Sequence, residues 1–230
     1  MRYLLIFTGM TLRALFSSVY YYLTVIVMTA LFFMLVLKLG PLLSNKAAVE
    51  LVSGQLVYTL LSTGILLVFM CAQPVFVLEK QQNTILPLLY SPAGAGEILM
   101  GKCLGVIIAA LLGSAVALLA PLVAFPVMLK ALLSFKIAAA LAIIFGIVFS
   151  YTLIIGILLF CSQNIKVLYL VLFFLNYVPM TIQKYTKAYM DANGLGSANW
   201  PHFFSLCVLL VVSVGLYKLY FSKHRIVASI

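Results

Sequence analysis

Acid is the scarcest component of this chain. Among its 230 residues only Glu50, Glu79, Glu97 and Asp191 carry a carboxylate, and the histidines, His202 and His224, stand apart from each other. Charged residues of either sign make up 8% of the sequence, whereas a soluble domain has about 25%. With no paired carboxylates and no Ser-His arrangement in the apolar runs, an intramembrane enzyme has little to build from. No metal cluster can be assembled either. The cysteines, Cys71, Cys103, Cys161 and Cys207, lie singly in apolar runs without C-x-x-C spacing, which suits small buried hydrophobes. No acid lies deep in an apolar run, and there is no internal repeat, so the usual equipment of an ion-coupled secondary transporter is missing.

What the chain has instead is apolar length. Hydrophobic residues make up 66% of it, against about 45–50% in a soluble domain, and that composition belongs to a bilayer solvent. A helix needs about 20 residues without charge to cross a membrane. The charged positions leave six such runs, which places spans near 19–38, 52–78, 98–120, 137–161, 166–183 and 202–221. The expected fold is therefore all-α integral membrane, one domain over 1–230. The fifth run is short and carries Asn176 and Pro179, which suits a tilted, broken or sheltered helix.

Six spans put both termini on one side. With the termini inside, eight basic residues (Arg2, Arg13, Lys80, Lys102, Lys166, Lys218, Lys223 and Arg225) lie inside. Six (Lys38, Lys46, Lys130, Lys136, Lys184 and Lys187) lie outside. Every arginine is then on the inner side, the direction of the positive-inside rule. The net charge of +10 comes from residues scattered at span ends, where snorkelling and anionic lipid account for them without nucleic acid. Before the first span, Arg2, Gly9, Arg13 and Ser17 share one side of a helical wheel. Residues 1–18 therefore predict an interfacial amphipathic helix, with Tyr20, Tyr21 and Tyr22 at headgroup level.

The long inner connection, Glu79–Lys102, is the richest polar segment. Residues 79–97 predict a cytoplasmic segment with a short amphipathic helix. Glu79, Lys80, Gln81, Gln82, Asn83 and Thr84 form a polar cluster. An apolar set follows, then a turn at Tyr90-Ser91-Pro92, and Glu97 opens the next helix where its charge suits the positive end. Within this stretch GEILMGKC, Gly96–Cys103, has the G-x-x-x-x-G-K spacing of a phosphate-binding loop. Cys103 stands where Ser or Thr should hold Mg²⁺, and no acid ends a strand-like run to complete a metal site, so the spacing is coincidental.

The same residues resemble the permease subunits of ABC type-2 transporters. Glu79, Thr84, Leu88, Leu89, Ser91-Pro92 and Glu97-Ile98-Leu99-x-Gly101-Lys102 stand at positions matching that family's inner loop. Gln81, Asn83 and Leu86 depart from it, and Pro87 is unusual inside a coupling helix because it removes a backbone donor. The resemblance implies a prokaryotic cytoplasmic-membrane permease that pairs with a second permease copy and two copies of a separate ATPase. It has no cofactor of its own, since ATP and Mg²⁺ belong to the partner. It also implies that Glu79, Lys80, Thr84, Leu88, Leu89, Ser91, Pro92, Glu97 and Lys102 serve coupling, and that the helix bearing Arg2 and Arg13 is the family's membrane-surface connecting helix.

A substrate path would draw on Gln55, Tyr58, Thr59, Gln73, Asn176 and Tyr177, a lining suited to hydrophobic or amphipathic cargo such as drug, peptide or lipid. Span hydroxyls often bond to their own backbone or to a neighbouring helix instead. The outer connection, 184–201, mixes Lys184, Lys187 and Asp191 with Tyr185, Tyr189 and Trp200, as an aromatic belt does. The alternatives are a haem-exporter B-like permease of cytochrome c maturation and a secondary transporter or channel that works without ATP.

Overall fold

The computed structural model of the chain describes residues 2–39, 61–82, 87–88, 90–124, 135–162, 181 and 200–221. Every regular element among them is helical: α1 (Arg2–Phe16), α2 (Val19–Leu39), α3 (Leu61–Gln81), α4 (Ala95–Ala124), α5 (Phe135–Cys161) and α6 (Trp200–Tyr220). Three of them, α3, α4 and α5, are long and apolar enough to cross a membrane, and the number rises to four if the bent pair α1 and α2 is one span. This is consistent with a membrane protein. The expected fifth span, 166–183, lies outside the described residues apart from Thr181, as does the outer connection before Trp200.

The break between α1 and α2 is a 71° bend at Ser17 and Ser18. Serine pairs favour such kinks because their hydroxyls compete for backbone groups. Ser17 Oγ donates to the Ala14 carbonyl at 2.9 Å, and Ser18 N–H donates to Leu15 in a tightened turn at 3.0 Å. Tyr22 OH covers the Phe16 carbonyl at 2.9 Å, so the exposed end of α1 keeps a partner. Of the three tyrosines, Tyr20 and Tyr22 are exposed. Tyr21 turns inward, edge-on to Phe16, and donates to the Ala109 carbonyl at 2.9 Å.

Helix α4 is central, touching α1, α2 and α5, and α6 packs on the outside of α5. Close approach depends on glycines where helices meet. A Cβ at Gly113 would lie 3.0 Å from Val25 and 3.2 Å from Leu67, and one at Gly146 would lie 2.8 Å from Leu206. The buried core runs through Leu61, Leu67 and Val68 of α3, Val106 and Ala109 of α4, and Ile147 and Ile155 of α5. The outer sides of α2 and α6 are apolar and exposed, as at Leu23, Ile26, Val211 and Leu219, which suits a lipid solvent.

Candidate functional site: the charged hub at the end of helix α3

Glu79, Lys80, Glu97 and Lys102 cluster where α3 ends and α4 begins, while Arg13 and Lys218 lie exposed on α1 and α6. Helix α3 does not stop at Leu78: after a π-helical turn at Gln73–Leu78 it continues through Glu79–Gln81. The π turn has a local cause. In an α-helix the ring of Pro74 would clash with the carbonyl of Met70, four residues back, and Pro74 has no N–H to give. A wider turn accommodates both defects.

The π turn sets the direction of the next two side chains. Glu79 forms an ion pair with Lys102 of α4, whose Nζ also lies 3.5 Å from the Val75 carbonyl inside the π turn. Lys102 is 2% exposed. Lys80, 6% exposed, points the other way. Its Nζ donates to the Ser162 carbonyl and lies 3.5 and 3.4 Å from those of Leu159 and Phe160, the last turn of α5. The final carbonyls of a helix have no intrahelical partner and carry its negative end, so a buried ammonium there is both hydrogen-bonded and electrostatically matched.

On its other side the same stretch of α4 is shaped by glycine. A Cβ at Gly101 would lie 2.7 Å from Phe7 Cβ and 2.9 Å from the Leu4 carbonyl of α1. One at Gly105 would lie 2.6 Å from Thr11 Cβ. Thr8 Oγ1 bridges the seam, donating to the Gly101 carbonyl at 3.1 Å and to Leu4 at 2.8 Å. Opposite α5, Gly156 allows Cys103 and Phe76 to approach, with would-be Cβ distances of 2.7 and 3.4 Å. The first three turns of α4 thus join α1, α3 and α5.

At the start of α4, Gly94 is the cap. Its carbonyl accepts from Ile98 N–H at 3.1 Å, and the Glu97 carboxylate reaches back to the Gly94 N–H at 3.4 Å, half of a capping box. Ser91 closes the preceding turn, its hydroxyl donating to the Leu88 carbonyl at 2.6 Å. Leu88 is half-buried against the core, while Tyr90, Pro92, Gln81 and Gln82 are exposed.

Sequence places Lys102 at headgroup depth and Lys80 in the polar cluster offered to a partner, and the structure turns both side chains inward. Snorkelling is not needed where a carboxylate and helix-end carbonyls sit within reach. Thr84 and Leu89 lie outside the described residues, as do Gln55, Tyr58, Thr59, Asn176 and Tyr177 of the suggested path. Gln73 is exposed at the first position of the π turn. Arg13 is exposed in the last turn of α1, where its charge suits the helix end, and Arg2 lies in the first turn, its side chain undescribed.

Sequence reasoning missed the Gly101–Gly105 seam, although G-x-x-x-G is a known signal of close helix packing in apolar segments. It also missed the π turn, for which Pro74 late in an apolar run was the cue.

Comparison with protein-family models, with curated proteins and with solved structures finds no match. The permease resemblance therefore rests on the residues of the inner loop.

Proposed function

We propose that the chain is the membrane-spanning subunit of an ATP-driven ABC transporter, driven by a separate ATPase that docks on the loop between α3 and α4. The observation that carries this is mechanical. The loop's entrance is tied to two other helices, through Glu79 to Lys102 of α4 and through Lys80 to the last turn of α5. A displacement applied to residues 82–94 therefore moves α3, α4 and α5 together. An ordinary span connection has no need of such buried ties. The exposed side chains Gln81, Gln82, Tyr90 and Pro92 are the ones a docking groove would meet. The cargo that best suits the uncharged spans is hydrophobic or amphipathic, exported from the inner side.

The test separates docking from the internal ties. The tagged protein is extracted in mild detergent, its companions are identified by mass spectrometry, and ATP turnover is measured with and without it. The expected result is a stoichiometric ATPase whose turnover depends on the permease and falls on Tyr90→Ala or Gln82→Ala, with the permease's own melting temperature unchanged. A folded preparation that moves cargo with no ATPase present would sink the proposal in favour of a secondary transporter.

A further inference from the structure

The π turn at Gln73–Leu78 is surrounded by contacts that act on its register. We propose that it is a two-state rotary hinge, which exchanges between the π register seen here and an α register in which Glu79 and Lys80 have both left their partners. A π turn holds more residues than an α turn, because its hydrogen bonds run i to i+5. Converting it to α therefore turns everything beyond it by about one residue's angle, about 100°. Glu79 then leaves Lys102, and Lys80 leaves the end of α5.

Three features hold the π register. Pro74 makes an α turn unfavourable by its clash with the Met70 carbonyl. Lys102 reaches both Glu79 beyond the turn and the Val75 carbonyl within it. Lys80 fixes the segment to the carbonyls of Leu159, Phe160 and Ser162. Each tie fastens a charged group to a partner on another helix or in the turn itself, so each is lost as a unit when the segment rotates. The helix before the turn is suited to staying still, since Leu67, Val68, Cys71 and Ala72 are buried. Within the turn Val75, Phe76 and Val77 are buried too, with Gly156 letting α5 press against Phe76, so the exchange repacks them. Motion is thereby confined to the six-residue turn and the segment C-terminal to it. The hinge is independent of what docks on the loop. A load at residues 82–94 of any origin moves the three helices together while the ties hold, and shifts the hinge's equilibrium once it exceeds them.

The test is a distance measurement between spin labels on the full chain in lipid nanodiscs. Labels go at Gln82→Cys, just beyond the turn, and Gly9→Cys, an open position on α1, in a Cys207→Ser background because Cys207 is exposed. The parent is expected to give one dominant distance, and Pro74→Ala combined with Lys102→Met to make a second distance the majority. Pro74→Ala alone provides a milder variant, expected to raise the second distance above its parent level, should the double variant not fold. Deleting Gln73 in the Pro74→Ala chain, where no proline opposes the α turn, supplies the decisive arm. Removing one residue closes the turn into an α-helix while both flanks keep their faces, so Lys102→Met in that chain should leave the first distance alone. An unchanged distribution in folded Pro74→Ala variants would overturn the hinge. So would a second distance that survives the deletion, since the movement would then lie elsewhere.

Discussion

The two sides of α4's first turns are built on opposite principles. Toward α1 there is no side chain at all: Gly101 and Gly105 let two backbones meet, and Thr8 supplies the polar bond across the seam. Toward α3 a long charged side chain fills the gap, with Lys102 reaching a carboxylate and a carbonyl. The glycine seam is fixed by shape and has one good arrangement, since interiors are close-packed and deform little. The charged side is fixed by pairing and can hold or release as a unit. One helix therefore carries a permanent joint on one side and a breakable one on the other.

The largest effect should come from breaking a charge pair by halves. Glu79→Gln leaves the Lys102 amine almost fully buried without its carboxylate, and removing one partner of a buried pair costs about 3 kcal/mol or more. Denaturation in detergent should show that loss. Glu79→Gln with Lys102→Met should recover most of it, because the double variant strands no charge. If the single and double variants are equally unstable, the pair is not the cause.

The glycine seam should break next. Gly105→Leu drives a side chain into Thr11, where a Cβ alone would already lie at 2.6 Å, and overpacking of this kind costs roughly 1–3 kcal/mol. The effect should be felt at α1, read as protease cleavage at Arg13 that the parent resists. Gly9→Leu on the open side of α1 is the control and should change nothing. Lys80→Met should cost about 1–3 kcal/mol, because it strips a charged donor from buried carbonyls. Hydrogen exchange should then rise at the end of α5 and leave the α1 seam protected.

The all-helical class with helices apolar enough for a membrane could be read from sequence. Apolar run length announced helices long enough for a membrane, and the polar cluster at Glu79 with the turn at Tyr90-Ser91-Pro92 marked a connection between them. Glu97 was legible as a helix opener because capping is local, decided within four residues. The ties were not. Hydropathy treats a lysine near a span end as one that reaches for water, and nothing in the sequence around Lys80 says that the last turn of α5, some eighty residues on, will be there instead. For the same reason the spacing of Gly101 and Gly105 does not name its partner, since nothing around Leu4, Thr8 and Thr11 in the sequence points to α4.

The smallest predicted effect concerns Ser114, buried in α4 opposite Gly64, whose hydroxyl has no hydrogen-bond partner among the described residues. A serine in an apolar helix ordinarily bonds to the carbonyl a turn before it, as Ser150 and Thr152 do on α5 at 2.8 and 2.7 Å. Ser114 does not, so its hydroxyl was desolvated on burial without recovering a bond. Ser114→Ala should therefore be neutral or stabilise by up to about 1 kcal/mol. Ser114→Val should destabilise instead, because a bulkier branched side chain must be fitted into a buried site. A rise in stability with Ala and a fall with Val would place this contact with the glycine seam, fixed by shape. A fall with both would mean that the hydroxyl holds a polar partner and that α4 is breakable at mid-height as well as at its charged end.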